Sequence, residues 1–459
     1  MGILRDIRRI YASAYAMYSR SQKAGDRAWQ LEEDIPSFSL LPYQGAGGML
    51  IRGDNRKIME RLIQDAAYKG QIQMIYIDPP FFSMTDRDAK LRTGSSYVRH
   101  PAYSDRWGRD MNAYLKALAV RLMLMKDLLR EDGLIFVHLD YHAVHYARLL
   151  MDEIFGADRF VNEIIWHYKS GGAGKRRFSR KHDNILVYAK NKKYRFYPLE
   201  EKSYNRDLKP YRFKGVKEAC DERGWYTMVN MRDVWDIDMV GRTAGERTGY
   251  ATQKPEELLR RIIASATEKG DMVADFYAGS GTLGKVAAEM GRPFLMADIG
   301  SLAVATAKAR LIRAGIPTKV YRMGKDREKK ALTAVIKTAV TETASGKKEL
   351  TVEVLGARIE RDGYRDKKAE ENLPYILSWS LDLDGGEVHK PAFVFLRRGK
   401  ALSTSASWPL QEGKKGRGSL VMTDIFGDSV RKGFSYSVGD PAKKKFLVAI
   451  RRAGKNVIK

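Results

Sequence analysis

The stretch MVADFYAGSGTLGKVAAEMGRPFLMAD (residues 272–298) reads as a short apolar strand, a glycine-rich turn, a helix, and a second strand that ends on an acid. A helix between two strands carries the chain back to its starting edge, so both strands enter one sheet in the same direction. Another helical segment, SLAVATAKARLIRAG (301–315), follows. The same alternation fills residues 49–156. MLIRGDN (49–55) is a strand ending at Gly53-Asp54, and a helix spans Arg56 to Ala67. IQMIYIDPPF (72–81) is a buried strand, and MNAYLKALAVRLMLMKDLLREDG (111–133) is a long amphipathic helix stopped by Gly133. LIFVHLD (134–140) is a strand, and AVHYARLLMDEIFG (143–156) is a helix with a glycine stop. Buried β-rich runs alternating with helices specify an α/β fold with a mostly parallel sheet covered on both faces.

The rest of the chain departs from that rhythm. Residues 1–45 read as a helical arm followed by a loop, with Ile3, Leu4, Ile7, Ile10, Tyr11 and Tyr15 on one face and Arg5, Arg8 and Arg9 between them. That face fits packing on the chain's own domain, and also a dimer or DNA contact. FVNEIIWHYK (160–169) and NILVYAK (184–190) form a hairpin at the sheet edge around the basic, glycine-rich loop SGGAGKRRFSRKHD (170–183). Residues 191–248 are rich in Lys, Arg, Tyr and Trp. TQKPEELLRRIIASATEKGD (252–271) restarts the α/β pattern with Pro255 in a helix's first turn. Beyond 325, short alternating runs such as LTVEVLGARI and AFVFLRRG specify a separate, largely β domain.

Composition narrows the partners. The 459 residues suit two or three domains, and 44% hydrophobic with 10% aromatic content describes a globular chain. There are 82 Lys and Arg against 56 Asp and Glu, a formal charge of +26. Such an excess calls for a polyanionic partner, nucleic acid ahead of an anionic membrane. No apolar run approaches the ~18 residues of a spanning helix. The start, MGILRDIRRIYASAYAMYSR, carries charges inside its apolar stretch, unlike a secretory signal, and Asp6 stands where myristoylation needs Ser or Thr. The single cysteine, Cys220, excludes an intrachain disulfide and a multi-thiolate zinc site. The expected location is cytoplasmic, associated with DNA, with no membrane partner.

Three chemistries fit the turn DFYAGSGTLGKV (275–286). As G-x-G-x-x-G it matches a dinucleotide-binding turn; as G-x-x-x-x-G-K it matches a phosphate-cradling P-loop; as D-x-x-x-G-x-G it matches a loop that holds S-adenosylmethionine. A P-loop needs Ser or Thr after its lysine to ligate magnesium, and Val286 stands there. Asp298, ending the next strand, suits the ribose hydroxyls of either remaining ligand. The discriminator is Asp78-Pro79-Pro80-Phe81, far upstream. X-Pro-Pro also serves simply to end a strand. But a carboxylate, two prolines and an aromatic at a strand's C-terminal edge supply what amino methylation of a base requires. The adenine amine is conjugated with its ring, and acceptors for its two N–H groups localise the lone pair. Prolines hold the backbone carbonyl still, and an aromatic face stacks on an extruded base. This chemistry needs no metal and no covalent intermediate.

Taken together, GDN, IYIDPPF, YSDRW, RLMLMKDLLREDGLIFVHLD, LLMDEIFG, HDNILVYAKN, ERTGYATQKPEELL and DFYAGSGT, across roughly residues 50–310, resemble the N6-adenine DNA methyltransferases in which the catalytic motif precedes the cofactor motif. They look especially like the modification subunits of type III restriction systems. SWSLDLD and the stretch through Thr423-Asp424 resemble the tails of some relatives. That family usually has Asn-Thr after Asp-Pro-Pro-Tyr, where this chain has Phe81-Phe82-Ser83, which keeps the stacking face and changes the loop beyond it.

The resemblance implies a Rossmann-like methyltransferase with a seven-stranded, mostly parallel sheet. Residues 1–45 would be the helical arm, 46–190 the catalytic half, 191–248 a target-recognition segment, 249–324 the cofactor-binding half, and 325–459 a C-terminal β-rich domain. It implies transfer of a methyl group from S-adenosylmethionine to adenine N6 in duplex DNA, with Asp78, Pro79, Pro80 and Phe81 catalytic. Asp298 would hold the ribose hydroxyls and Asp54 the adenine amine of the cofactor. Asp275, Phe276, Tyr277, Ala278, Gly279, Ser280 and Gly281 would hold the methionine end, which Lys254 in the TQKP segment helps to cover. Lys169, Lys175, Arg176, Arg177, Arg180 and Lys181 would touch DNA at the rim, although a solvated charge run reads the same way. Tyr194, Phe196, Tyr204, Tyr211, Trp225 and Arg232 would serve target recognition. Candidate partners besides duplex DNA are a restriction subunit and a second copy of the chain. Cytosine-N4 methylation, whose enzymes more often carry Ser in place of Asp78, and an inactive DNA-binding specificity subunit are the rival readings. Cys220, in KEACDERG, lacks the context of a cytosine-C5 nucleophile, and His182 reads equally as a surface residue or as one near the base.

Overall fold

The computed structural model describes residues 3–21, 29–38, 43–93, 96–105, 110–169, 176–324, 332–343, 345–360, 368–410 and 415–437. Its centre is a ten-stranded sheet. Across it the order is Trp29–Ile35, Thr318–Met323, Gly48–Arg52, Phe294–Asp298, Val273–Asp275, Ile72–Ile77, Leu129–Leu139, His182–Ala189, Phe160–His167 and Val234–Asp236. The seven strands from Gly48–Arg52 to Phe160–His167 make the expected sheet, and three more extend its edges. Trp29–Ile35 and His182–Ala189 each pair antiparallel with their neighbours, and every other pairing is parallel. The sheet is therefore mixed, with its parallel core where the sequence alternates strand and helix.

All six residues of Ile72–Ile77 are buried, as a strand covered on both faces demands. From this strand the chain crosses to Leu129–Leu139, whereas from Val273–Asp275 it crosses to Phe294–Asp298, on the opposite side. Strand order thus reverses between Val273–Asp275 and Ile72–Ile77, which opens a crevice at their C-terminal ends. Paired residues show how level those ends are: Asp298 lies beside Arg52, Asp275 beside Met296, and Ile77 beside Val137.

Several local expectations change. Residues 29–35, expected as loop, form an edge strand paired with Thr318–Met323, because Trp29 finds Tyr321 and Ile35 is buried there. The long helix ends at Leu128, not at Gly133, and LREDG opens the next strand. A Cβ on Gly133 would lie 2.9 Å from the Gln73 carbonyl oxygen, so the glycine admits strand contact and does not stop a helix. The hairpin Asp86–Thr93 and Ser96–Ser104, too polar to show as strands, rises beside the crevice. The edge role expected of the 160–190 hairpin passes to Val234–Asp236. Within 191–248, Glu200–Tyr204, Glu218–Asp221 and Gly224–Asn230 form a separate antiparallel sheet.

The helix Ile3–Ser21 packs on its own domain: Ile7, Ile10 and Ala14 enter the main core, and the Tyr18 hydroxyl donates to Asp127 at 2.7 Å. Beyond residue 331, two antiparallel sheets enclose a core around Trp379, whose ring stacks on Phe395 at 4.3 Å. Ala89 and Leu91 of the hairpin, Tyr250 and Leu302 join that core, so the β domain is seated against the wall of the crevice. Among the described residues no helix is long and apolar enough to cross a membrane.

Candidate active site

The crevice holds a cavity of about 400 Å³. Residues from sequence-distant stretches meet there: Asp54, Asp78 and Pro80, Lys254, the turn from Asp275 to Ser280, and Asp298. Gly279 has φ +49°, and its Cβ would come within 3.4 Å of the Tyr250 ring, so a bare backbone forms this part of the wall. Asp298 accepts the N–H of Gly279 at 2.9 Å and that of Gly300 at 2.8 Å. Burial pushes its pKa up, and those N–H groups oppose the rise. Asp275 accepts the Tyr277 N–H at 2.8 Å, and burial, reinforced by the nearby Asp78 and Asp298, pushes its pKa well above the usual carboxylate range.

At the next strand end, Asp54 caps the helix Asn55–Leu62 by accepting the Arg56 N–H at 2.8 Å. Arg121 reaches the same carboxylate at 3.4 Å and Asn55 Oδ1 at 2.6 Å, while Asn55 Nδ2 donates to the Phe276 carbonyl at 2.9 Å. Helix, turn and strand end are thus tied together around the cavity.

Gly281 does not line it. Its Cβ would stand 2.7 Å from Ala307 Cβ, so this glycine serves the packing of the turn on the helix Ser301–Arg313, not space for a ligand. Gly284 likewise lets its helix approach Met296. Lys285, the lysine a P-loop would use, pairs with Glu256 at 2.8 Å and Glu289 at 2.7 Å, away from the cavity.

Asp78 and Lys254 are ion-paired through Asp78 Oδ2. Asp78 Oδ1 is buried without a hydrogen-bond partner among the described residues. Lys254, expected over a ligand's methionine end, instead points its ammonium at Asp78. Burial disfavours that charge, but the Asp78 and Asp183 carboxylates outweigh it and raise the lysine pKa. Pro79 is buried and Pro80 borders the cavity. The Phe81 ring lies against His138, centroids 5.9 Å apart and 22° between planes. His138 is fully buried, between the Tyr76 hydroxyl at 2.9 Å and Asp183 at 3.1 Å, and Tyr168 donates to Asp183 at 3.1 Å.

The loop after the prolines is held by a residue that sequence reasoning did not single out. Asp105 accepts the backbone N–H groups of Phe81, Phe82 and Ser83 at 3.2, 2.9 and 2.7 Å and the Ser83 hydroxyl at 2.6 Å. Phe82 and Met84 have φ of +63° and +59°, conformations that side chains other than Gly and Asn adopt at a cost. The acid in YSDRW was the visible signal; Arg106 and Trp107 of that stretch lie outside the described residues. Arg121 was also missed, although a charge on an otherwise apolar helix face marks it.

In the segment before His182, Arg176, Arg177 and Arg180 are exposed, and the Arg180 guanidinium lies over the Tyr141 ring, 3.6 Å from its centroid. Phe178 between them is 99% exposed. Lys169 and Lys181 flank the same loop, and Lys175 lies outside the described residues. In 191–248, Tyr194, Phe196 and Tyr211 are exposed, whereas Tyr204 packs on Tyr226 and Arg232 pairs with Glu201 at 2.5 Å. Trp225 is half-buried, His182 is exposed, and Cys220 is an exposed thiol far in sequence from the cavity residues.

The chain is similar in sequence to known methyltransferases. The type II methyltransferase M.EcaI of Enterobacter cloacae is 24% identical over 389 residues, covering 70% of this chain and 83% of the relative. The StyLTI Mod subunit, from a type III restriction-modification enzyme of Salmonella typhimurium, is 25% identical over 362 residues, 58% of this chain. The chain spans only about half of that relative's length, 53%. Among solved structures, the M1.HpyAVI–SAM complex is 20% identical, with a TM-score of 0.38, and covers 57% of this chain and 98% of its own. Residues 72–309, more than half the chain and containing both Asp78 and the glycine turn, match the N6/N4 DNA methylase family, and the chain belongs to that family.

Proposed function

We propose that the chain methylates adenine at N6 in duplex DNA, using S-adenosylmethionine. The observation that carries this reading is that Asp78 and the Asp275–Ser280 turn, nearly two hundred residues apart in sequence, border one cavity. The donor set suits the cofactor: a carboxylate at Asp298 for ribose hydroxyls, a second acid at Asp54 for a base amine, and a glycine wall at Gly279 that a Cβ would fill. Bound there, S-adenosylmethionine supplies an electrophilic methyl group.

The chain's own residues do the rest. Asp78 accepts an N–H of the target amine, and the Pro79 carbonyl, fixed between rings, accepts the other; together they localise the nitrogen lone pair. Phe81 offers its ring to the extruded base, backed by the buried His138. Arg176, Arg177 and Arg180 neutralise phosphates at the rim. The segment 191–248 and the C-terminal domain read the target. A restriction subunit is a further partner in this reading, since the StyLTI relative is a Mod subunit.

Tritiated methyl transfer to duplex DNA, with product nucleosides separated by chromatography, tests the proposal. Label should appear as N6-methyl-2′-deoxyadenosine, and Asp78→Asn, which replaces a charged acceptor with a weaker neutral one, should lose up to two to three decades in rate, the ~3–4 kcal/mol typical of one preorganised interaction. Label on cytosine would turn the reading to N4 methylation.

A further inference from the structure

We infer that the loop from Arg206 to Lys217 is a docking surface for duplex DNA beyond the extruded base. Its lysines and arginines grip phosphates, while Phe213, stacked on Tyr211, presses into the groove between them. The inference deepens the reading above and rests on duplex DNA being the substrate. It gives one loop a role that the sequence spread over the aromatic residues of 191–248, of which Tyr204 is packed on Tyr226 and Trp225 is half-buried.

The loop is charged and unneutralised. Arg206, Lys209, Arg212, Lys214 and Lys217 stand against one acid, Asp207. All five are exposed, and none forms an ion pair with a described residue. Elsewhere on the same small sheet the cations are paired, Lys202 with Asp221 at 2.7 Å and Arg232 with Glu201. Amid this charge stand apolar faces. Phe213 is 63% exposed, and its ring stacks on Tyr211, centroids 5.3 Å apart. A protein covering those rings would have to desolvate the cations around them. Nucleic acid instead offers phosphates to the cations and apolar sugar and base edges to the rings.

The loop is also held in shape. Glu218 accepts the backbone N–H groups of Tyr211 and Arg212, each at 2.8 Å, and the buried Asn205 bridges that carboxylate to the Lys209 carbonyl. The Tyr211 hydroxyl accepts the Arg206 N–H at 2.5 Å. Asp207, Leu208 and Arg212 have φ of +58°, +59° and +57°, strain that these bonds maintain on an exposed surface. Rings and charges therefore meet a ligand with little ordering cost. The strand Gly224–Asn230 sets the reach. Asn230 closely precedes Val234–Asp236 in the main sheet, whereas the loop sits at the other end, with Leu208 against Gly224 and the Asn205 N–H on the Trp225 carbonyl. Those seven residues span about 20 Å, comparable to roughly six base steps.

The experiment measures binding to a random-sequence duplex by fluorescence anisotropy over a salt series. It compares the wild-type chain with Phe213→Ser, Phe213→Trp, and a triple variant carrying Lys209→Gln, Lys214→Gln and Lys217→Gln. Thermal melts and S-adenosylhomocysteine calorimetry report folding, and rings and charges are probed separately, so either decides if the other variant misfolds. Phe213→Ser should weaken binding at least about fivefold at every salt concentration without changing the slope, the lower end for one base–aromatic contact, and Phe213→Trp should restore it. The triple variant should make the log–log slope shallower by roughly 2–3. Methylation of plasmid DNA should lose kcat/KM in the same proportions. Wild-type affinity and slope in the Ser and triple variants overturn the inference. So does a loss of self-association in sedimentation with DNA binding intact, which would give this surface a protein partner. Label on cytosine in the wild type would count against the adenine reading alone, because the loop is judged on duplex binding.

Discussion

At the scale of single residues, one carboxylate shapes the loop that follows the two prolines. Phe82 and Met84 occupy left-handed backbone conformations, and the four hydrogen bonds into Asp105 offset the cost of holding them there. Relatives with asparagine after the aromatic have a residue that tolerates this conformation; this chain has a phenylalanine, packed on Tyr114 at 5.7 Å. Asp105→Ala should therefore release the loop without touching the cofactor end of the cavity. The expected loss in methylation is roughly 1.5–3 kcal/mol, the size of hydrogen bonds to a charged group. Duplexes carrying 2-aminopurine at the target should show weaker fluorescence enhancement, while S-adenosylhomocysteine affinity stays within about twofold. Wild-type fluorescence in the variant would mean that Asp105 has no part in presenting Phe81. The same scale explains why Asp78→Ala is a poor probe: it strands Lys254 as a buried, unpaired cation, and breaking such a pair costs about 3–5 kcal/mol. Asparagine keeps the volume and an acceptor.

At the scale of elements, the segment from Arg176 to Lys181 leads directly into the strand His182–Ala189, whose Asp183 braces His138 behind Phe81. A phosphate bound there would be linked through these contacts to the Phe81 ring. Arg180 lays its guanidinium plane on Tyr141, which fixes its position and leaves its edges for hydrogen bonds. Replacing Arg176, Arg177 and Arg180 together with alanine should make the log–log salt dependence of DNA binding shallower by roughly 2–3, at ~0.9 for each phosphate no longer neutralised. Fluorescence anisotropy over a salt series measures it. An unchanged slope would make the loop an ordinary solvated face.

At the scale of the whole molecule, the C-terminal domain is joined to the sheet edge by a buried polar junction. His389 donates its N–H to the Glu32 carbonyl and accepts the Asp34 N–H on its own carbonyl, while its ring meets Ser380 and Ser419 at 2.8 Å each. Beside it, Glu33 and Lys308 form a buried ion pair at 2.7 Å. Burial holds the His389 pKa down, to about 4, despite the nearby Glu33 and Asp382. In the unfolded chain this histidine takes a proton near its ordinary value of 6.5. Between those values only the unfolded state binds the proton, so stability falls as pH drops from 6.5 towards 4. The full effect is about 3 kcal/mol. Thermal melts at pH 7 and pH 5 should show it, and His389→Gln should flatten that part of the pH dependence. Equal pH dependence in the variant would place the titration elsewhere.

The sequence by itself determined the layered α/β core and placed Asp78 and the Asp275–Ser280 turn at the ends of its strands. Buried runs such as IQMIYI and the helix stripes are local patterns whose only stable arrangement is a covered parallel sheet, and residues at strand ends follow from that topology. Tertiary structure alone decided what each side chain faces. The edge strand 29–35 and the hairpin 86–104 are polar, and take their pairing from partners distant in the chain. Gly281 reads as ligand space in a motif, but its missing Cβ makes room for Ala307, which lies on another helix. The resemblance puts Lys254 over the methionine end of a cofactor, and only the folded chain brings it against a carboxylate from the opposite half of the sheet. Burial and partnership are properties of that proximity, which no local pattern of residue types encodes.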